Sequence, residues 1–126
     1  MNQSRRDHFD AMLERVIDGL PPQLRELLDE VPLIVEDYPS REICEAFDLE
    51  YRDELCGLHD GIPLTDRSVE GGNVGVPDHI MIYREGILAM ADNDPQLREQ
   101  IRITVLHEIG HHFGLDEDDL EKLGYG

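Results

Sequence analysis

The residues in this sequence best placed to do chemistry are His107, Glu108 and His111, in the run His107-Glu108-Ile109-Gly110-His111. On an α-helix, residues four apart share a face and are separated by about 6 Å of rise. Two imidazoles so placed can each bring a ring nitrogen within about 2 Å of one tetrahedral zinc ion. Glu108 lies about 100° further round the helix than His107, which is too far for a natural ligand but close enough to reach a water on the metal. A carboxylate there can take the water's proton and return it to a leaving amine. Zinc lowers the pKa of such a water to about 7 and polarises a carbonyl. The pattern therefore suits hydrolysis with Zn2+ as cofactor, His107 and His111 as ligands and Glu108 as general base. The bare pattern arises by chance in roughly three chains of this composition per hundred, so its surroundings matter. They are a strongly apolar helix, in which polar side chains are costly to bury without partners.

A third protein ligand is required, and the following residues offer several. The run continues His112-Phe113-Gly114-Leu115-Asp116-Glu117. Gly114 permits a left-handed turn out of the helix, and Glu117 is the position such a turn returns towards the histidines. Asp116 reads better as the N-cap of a last helix, with Asp119 three residues on. Asp116, Asp118, His59 and His79 remain alternatives to Glu117. His112 falls on another helix face and reads as a packing residue.

The elements that must position these groups follow from periodicity and punctuation. Asp94 as N-cap, Pro95 at the first helical position and Gly114 at the end delimit the motif helix. Leu97, Ile101, Val105 and Ile109 make one apolar face, and Ile103, Leu106 and Phe113 widen it, so this helix is expected to be central. Phe9, Met12, Leu13, Val16, Ile17 and Leu20 predict a helix over 7–20, ended by Gly19 and Pro21-Pro22. A short helix is expected over 22–29 and a strand over 31–36. Residues 39–51 fit either a short helix or an irregular segment. Residues 55–59 fit a strand, 62–77 a loop rich in glycine, and 79–83 the clearest strand, with Ile80 and Ile82 facing the core. Arg84-Glu85-Gly86 reads as a turn, and a last helix is expected from Asp116 to about Leu123. Helices at both ends with strands between them predict an α+β fold.

Bulk properties narrow the function. The chain has 126 residues, which fits a single domain over 1–126 large enough for its own core. Its formal charge is −18, from 29 acidic against 11 basic residues. Nucleic acid and anionic membranes would be repelled, whereas a peptide or protein substrate is compatible. No run approaches the roughly 18 apolar residues of a membrane span, and the first residues lack an apolar signal core, so the expected compartment is the cytoplasm. Cys44 and Cys56 lack metal-site spacing and read as half-buried thiols. No feature of the sequence sets an oligomeric state.

The run from His107 to Glu117 resembles the zincin metallopeptidases, with Gly114 placed as in metzincins. It is more closely similar to short bacterial proteins described as minimal zincin domains. The N-terminal helix into Leu20-Pro21, Leu55-Cys56-Gly57-Leu58, Pro77 to Tyr83 and Leu120 to Tyr125 share that resemblance. It implies a minimal zincin-like α+β core, a short mixed sheet packed on the motif helix, and zinc as the metal. It implies His107, His111 and Glu117 as ligands and Glu108 as general base. The strand 80–83 is then expected to bind extended substrate along its edge. The chain departs from metzincins in that all four methionines (Met1, Met12, Met81, Met90) precede the motif, so their downstream methionine turn has no counterpart. Nor are the residues after Glu117 expected to build a far cleft wall. Two functions follow: a zinc-dependent peptidase, or a non-catalytic zinc-binding or protein-interaction module that keeps the metal site. Tyr83 and Tyr125 read as core or surface tyrosines, with oxyanion stabilisation as the alternative.

Overall fold

Asn2 opens the first helix, α1 (Gln3–Asp18), by accepting the Arg5 N–H on its side chain at 2.8 Å. That cap starts the helix ahead of the apolar periodicity, which begins only at Phe9. Phe9, Met12, Leu13 and Val16 make its buried stripe, each contributing about 1.5–3 kcal/mol relative to exposure. Pro21 and Pro22 break the chain into α2 (Pro22–Glu30). Strand β1 (Leu33–Glu36) and helix α3 (Arg41–Ala46) follow, the latter capped by Ser40. A 3-10 turn at Arg52–Glu54 leads to β2 (Gly57–His59). The rest comprises β3 (Ile80–Tyr83), α4 (Arg84–Leu88), α5 (Asp94–Phe113) and α6 (Glu117–Lys122). A computed structural model describes residues 1–59 and 79–122. The expected glycine-rich loop, Tyr125 and the end of the last helix lie outside the described residues.

The architecture is α+β, as the element order predicted, with a small mixed sheet among the described residues. Its strand order is β1-β3-β2, with β1 parallel and β2 antiparallel to β3. This corrects one expectation. Strand β3 is the central strand, with backbone groups paired on both sides, so it has no free edge to offer a substrate. Its residues Ile80 and Ile82 are fully buried, as expected. A second correction concerns Arg84-Glu85-Gly86, which opens helix α4 instead of making a turn. The chain stays close to the sheet there because Gly86 has no Cβ. One at that position would stand 2.7 Å from the Leu55 carbonyl carbon and 3.2 Å from Cys56 Cα.

Helix α5 packs against α1, both strands β2 and β3, α4 and α6. Leu97, Ile101, Val105, Leu106 and Ile109 are buried in that core with Phe9, Leu24 and Ile87. Its cap is Asn93, whose side chain accepts the Gln96 N–H at 2.9 Å, one residue earlier than expected. Asp94 is thereby freed to lie 2.9 Å from His8 Nε2 on α1. Ile103 faces outward, 38 % exposed, so the apolar face is narrower than composition implied.

An ionic network fastens the outer elements. Asp37, just after β1, accepts hydrogen bonds from Arg6 (2.7 Å) and Arg84 (2.9 Å). Arg84 in turn makes a two-pronged contact with Asp10, both bonds 2.9 Å. Such forked pairs are directional and stronger than single contacts, and this set joins α1, β1 and α4. The two guanidiniums hold the Asp37 carboxyl at about 2, well below its ordinary value. Among the described residues no helix is long and apolar enough to cross a membrane.

Candidate metal centre

His107 and His111 occupy the outward row of α5, one turn apart, in line with exposed Glu99 and Ile103. Their ring centres are 4.8 Å apart and their planes are inclined by 68°. Two imidazoles holding one ion at about 2 Å with a tetrahedral angle have ring centres about 5 Å apart. The pair therefore fits a zinc ion in spacing and in donor chemistry. The burial expected for the motif falls on Glu108 and not on the two histidines. His107 is exposed and the His111 side chain is 52 % exposed, while Glu108, one step round the helix, is 7 % exposed.

Glu108 is the electrostatic anomaly of the site. Its Oε1 stands 3.6 Å from His111 Nδ1, and its Oε2 is buried with no hydrogen-bond partner among the described residues. A carboxylate oxygen so placed forfeits its hydration without compensation. Burial pushes the Glu108 pKa upward, and the electrostatic interaction with His107 offsets part of that rise. The result is a proton acceptor more basic than an ordinary glutamate, at the margin of a solvent-facing histidine pair.

The exit from α5 is shaped by two glycines. Gly114 adopts φ +67°, the left-handed conformation expected of it. The Leu115 N–H then reaches back to the Gly110 carbonyl at 2.8 Å, the bond pattern of a Schellman turn. A Cβ on Gly110 would stand 3.0 Å from the Leu115 carbonyl oxygen, so the turn can fold tightly under the helix. Asp116 and Asp119 cap each other's N–H groups at 2.8 and 3.1 Å, in the capping role expected of Asp116. Leu120 then anchors α6 in the core.

Glu117 opens α6 and is exposed. Among the described residues no three His, Cys, Asp or Glu side chains are gathered as a metal set. His107 and His111 are paired on one helix face, with Glu108 Oε1 3.6 Å from His111 Nδ1, and no further described residue, Glu117, Asp116, Asp118 and His79 included, joins them in a metal set. The side chain of His59 lies outside the described residues. Tyr83 is wholly buried, with its hydroxyl unpartnered among the described residues and its pKa pushed by burial to about 12. It is a core residue, near enough to Cys44, Glu36 and Glu108 for each of them to raise its pKa further. Cys44 and Cys56 are free and half-buried, as expected.

Sequence reasoning passed over Gly57. It opens β2 opposite Ile82, so it shares the face of the sheet that packs on α5. There it abuts Glu108. A Cβ at 57 would lie 3.1 Å from Glu108 Cγ. A glycine inside a strand is itself a signal of close approach, and that signal was present in the sequence.

A protein-family model described as zincin-like metallopeptidase matches residues 28–126. That span takes in the sheet and the whole motif helix. No curated protein matches the chain.

Proposed function

Since the chain belongs to the zincin-like metallopeptidase family, we propose that it hydrolyses peptide bonds, with His107, His111 and Glu117 holding Zn2+ and Glu108 as general base. Zinc, when bound, supplies Lewis acidity that lowers the pKa of water and polarises a carbonyl. The observation that carries the reading is Glu108: a buried carboxylate with one oxygen unpartnered among the described residues, beside an exposed pair of imidazoles. A structural zinc site needs no such base, because protein side chains close all four of its positions.

Glu108 takes the proton from the attacking water and delivers it to the departing amine nitrogen. Its raised pKa brings it nearer to the working pH, where a general base is most effective. His107 and His111 orient the reaction at the solvent face of α5. Strand β2 supplies the binding ledge. It ends the sheet among the described residues and lies against α5, the position from which an edge strand pairs with an extended peptide. The partner is accordingly a peptide or protein chain in extended form.

Metal analysis of protein purified without chelator, followed by cleavage of a peptide library, tests this reading. One zinc per chain, with cleavage lost in Glu108→Ala while zinc is retained, is the expected result. Equal residual activity in the two proteins assigns the site to a zinc-holding interaction module. Absence of bound metal under zinc-replete conditions overturns both.

A further inference from the structure

Gly57 meets three groups at once. A Cβ there would stand 2.9 Å from Thr104 Cγ2, 3.1 Å from Glu108 Cγ and 3.1 Å from the Met81 carbonyl oxygen. Thr104 and Glu108 are one turn apart on α5 and share a face, and both are buried, at 8 % and 7 % exposure. The backbone of β2 therefore lies across the two side chains with no room for even a methyl group. Of the three groups, the Met81 oxygen cannot yield, because it belongs to the central strand, which is paired on both sides. Thr104 is β-branched and has only two χ1 wells open to it in a helix. Glu108, with its longer side chain, moves aside most readily.

We propose that Gly57 is a positioning residue for Glu108: the missing side chain leaves the slot in which the glutamate lies, and so sets its carboxyl beside His111. The contrast with Gly86 supports a specific role. The three atoms nearest to a Cβ on Gly86 would all be backbone atoms of Leu55 and Cys56, so that glycine lets α4 approach the chain entering β2. Gly57 instead touches the base. Any side chain at 57 displaces Glu108 while leaving the outward row of His107 and His111 in place. The catalytic consequence rests on the peptidase reading. The steric coupling does not.

The test uses metal-free protein first. In wild type, three-bond couplings should report one χ1 rotamer for Glu108, with a nuclear Overhauser contact between Gly57 Hα and Glu108 Hγ. Gly57→Ala should shift or average that rotamer, and Gly57→Ala/Thr104→Ser, which removes Cγ2, should return it towards wild type. A thermal double-mutant cycle of Gly57→Ala with Glu108→Ala should be non-additive, the alanine at 57 costing less once the glutamate is truncated. Should Gly57→Ala alone fail to fold, recovery of folding in Gly57→Ala/Glu108→Ala supports the coupling, and failure of that pair overturns it. An unchanged Glu108 rotamer or an additive cycle also overturns it. With zinc added and the fastest-cleaved library peptide as probe, Gly57→Ala should lower kcat about 10²-fold. Zinc affinity and KM should stay near wild type. If wild type cleaves no peptide, the peptidase reading falls, while the couplings and the cycle still decide the role of Gly57.

Discussion

Glu108 and His111 sit three residues apart on one helix, with Oε1 and Nδ1 separated by 3.6 Å, yet their side chains are 10 % and 52 % exposed. The pair straddles the line where α5 passes from core to solvent. The histidine side of the motif is open to solvent, and the glutamate side is desolvated, which raises the basicity of Glu108. On the proposed reading, that division lets one helix carry both an exposed metal pair and a general base.

Removing the charge of Glu108 should separate stability from activity. Because burial raises its folded pKa above the unfolded value, the folded state binds more protons than the unfolded one between those two values. Stability then falls as pH rises through that window. Metal-free Glu108→Gln should lack this loss and melt at or above the wild-type temperature at neutral pH, while peptide cleavage falls by about 10²–10⁴-fold. Calorimetry across pH checks the first claim and steady-state kinetics the second.

The exposed ligands should matter to zinc and little to folding. His107→Ala removes an outward side chain and should change metal-free stability by no more than about 0.5 kcal/mol. Wild type at a hundredfold excess of zinc over its Kd should gain about 2.7 kcal/mol, and His107→Ala should show almost none of that gain. A zinc-dependent rise in Tm that survives in the variant would place the metal elsewhere.

Glu117 is the least constrained of the ligand assignments, and zinc titration addresses it directly. Glu117→Gln should weaken zinc binding clearly with no change in helix content, while Asp118→Asn should leave it unaltered. The reverse order of effects would move the third ligand to Asp118.

Acid should attack the protein through Asp37. Its folded pKa of about 2 lies below the unfolded value of about 3.9, so its contribution is present above the unfolded value. It is lost as pH falls through about 2. Acid titration of wild type should show this limb between roughly pH 4 and pH 2, and Asp37→Asn should lack it and be less stable at neutral pH.

Gly86→Ala should be among the more damaging small substitutions outside the motif. The added methyl meets the Leu55 backbone, which has no rotamer to change, so a loss at or above the usual 1–3 kcal/mol of core overpacking is expected. A Tm close to wild type would mean that the 3-10 turn and β2 can slide away from α4.

Several features of the candidate site can be read directly from the one-dimensional chain. Spacing alone puts His107 and His111 on one helix face, Gly114 announces the left-handed exit, and Asp116 announces its cap, because each depends on local backbone geometry. The apolar periodicities of α1 and α5 and the alternation of β3 likewise follow from fixed repeat lengths. Other features depended on what packs against what. No periodicity distinguishes a central strand from an edge strand, so only the pairing of β3 on both sides moved the candidate substrate ledge to β2. The burial of Glu108 with the exposure of its histidine neighbours was likewise settled by where the sheet and α1 press on α5. The close approach of Gly57 to Glu108 joins residues 51 positions apart. Local sequence can permit such a contact, by leaving out a side chain, but only the packed fold chooses its partner.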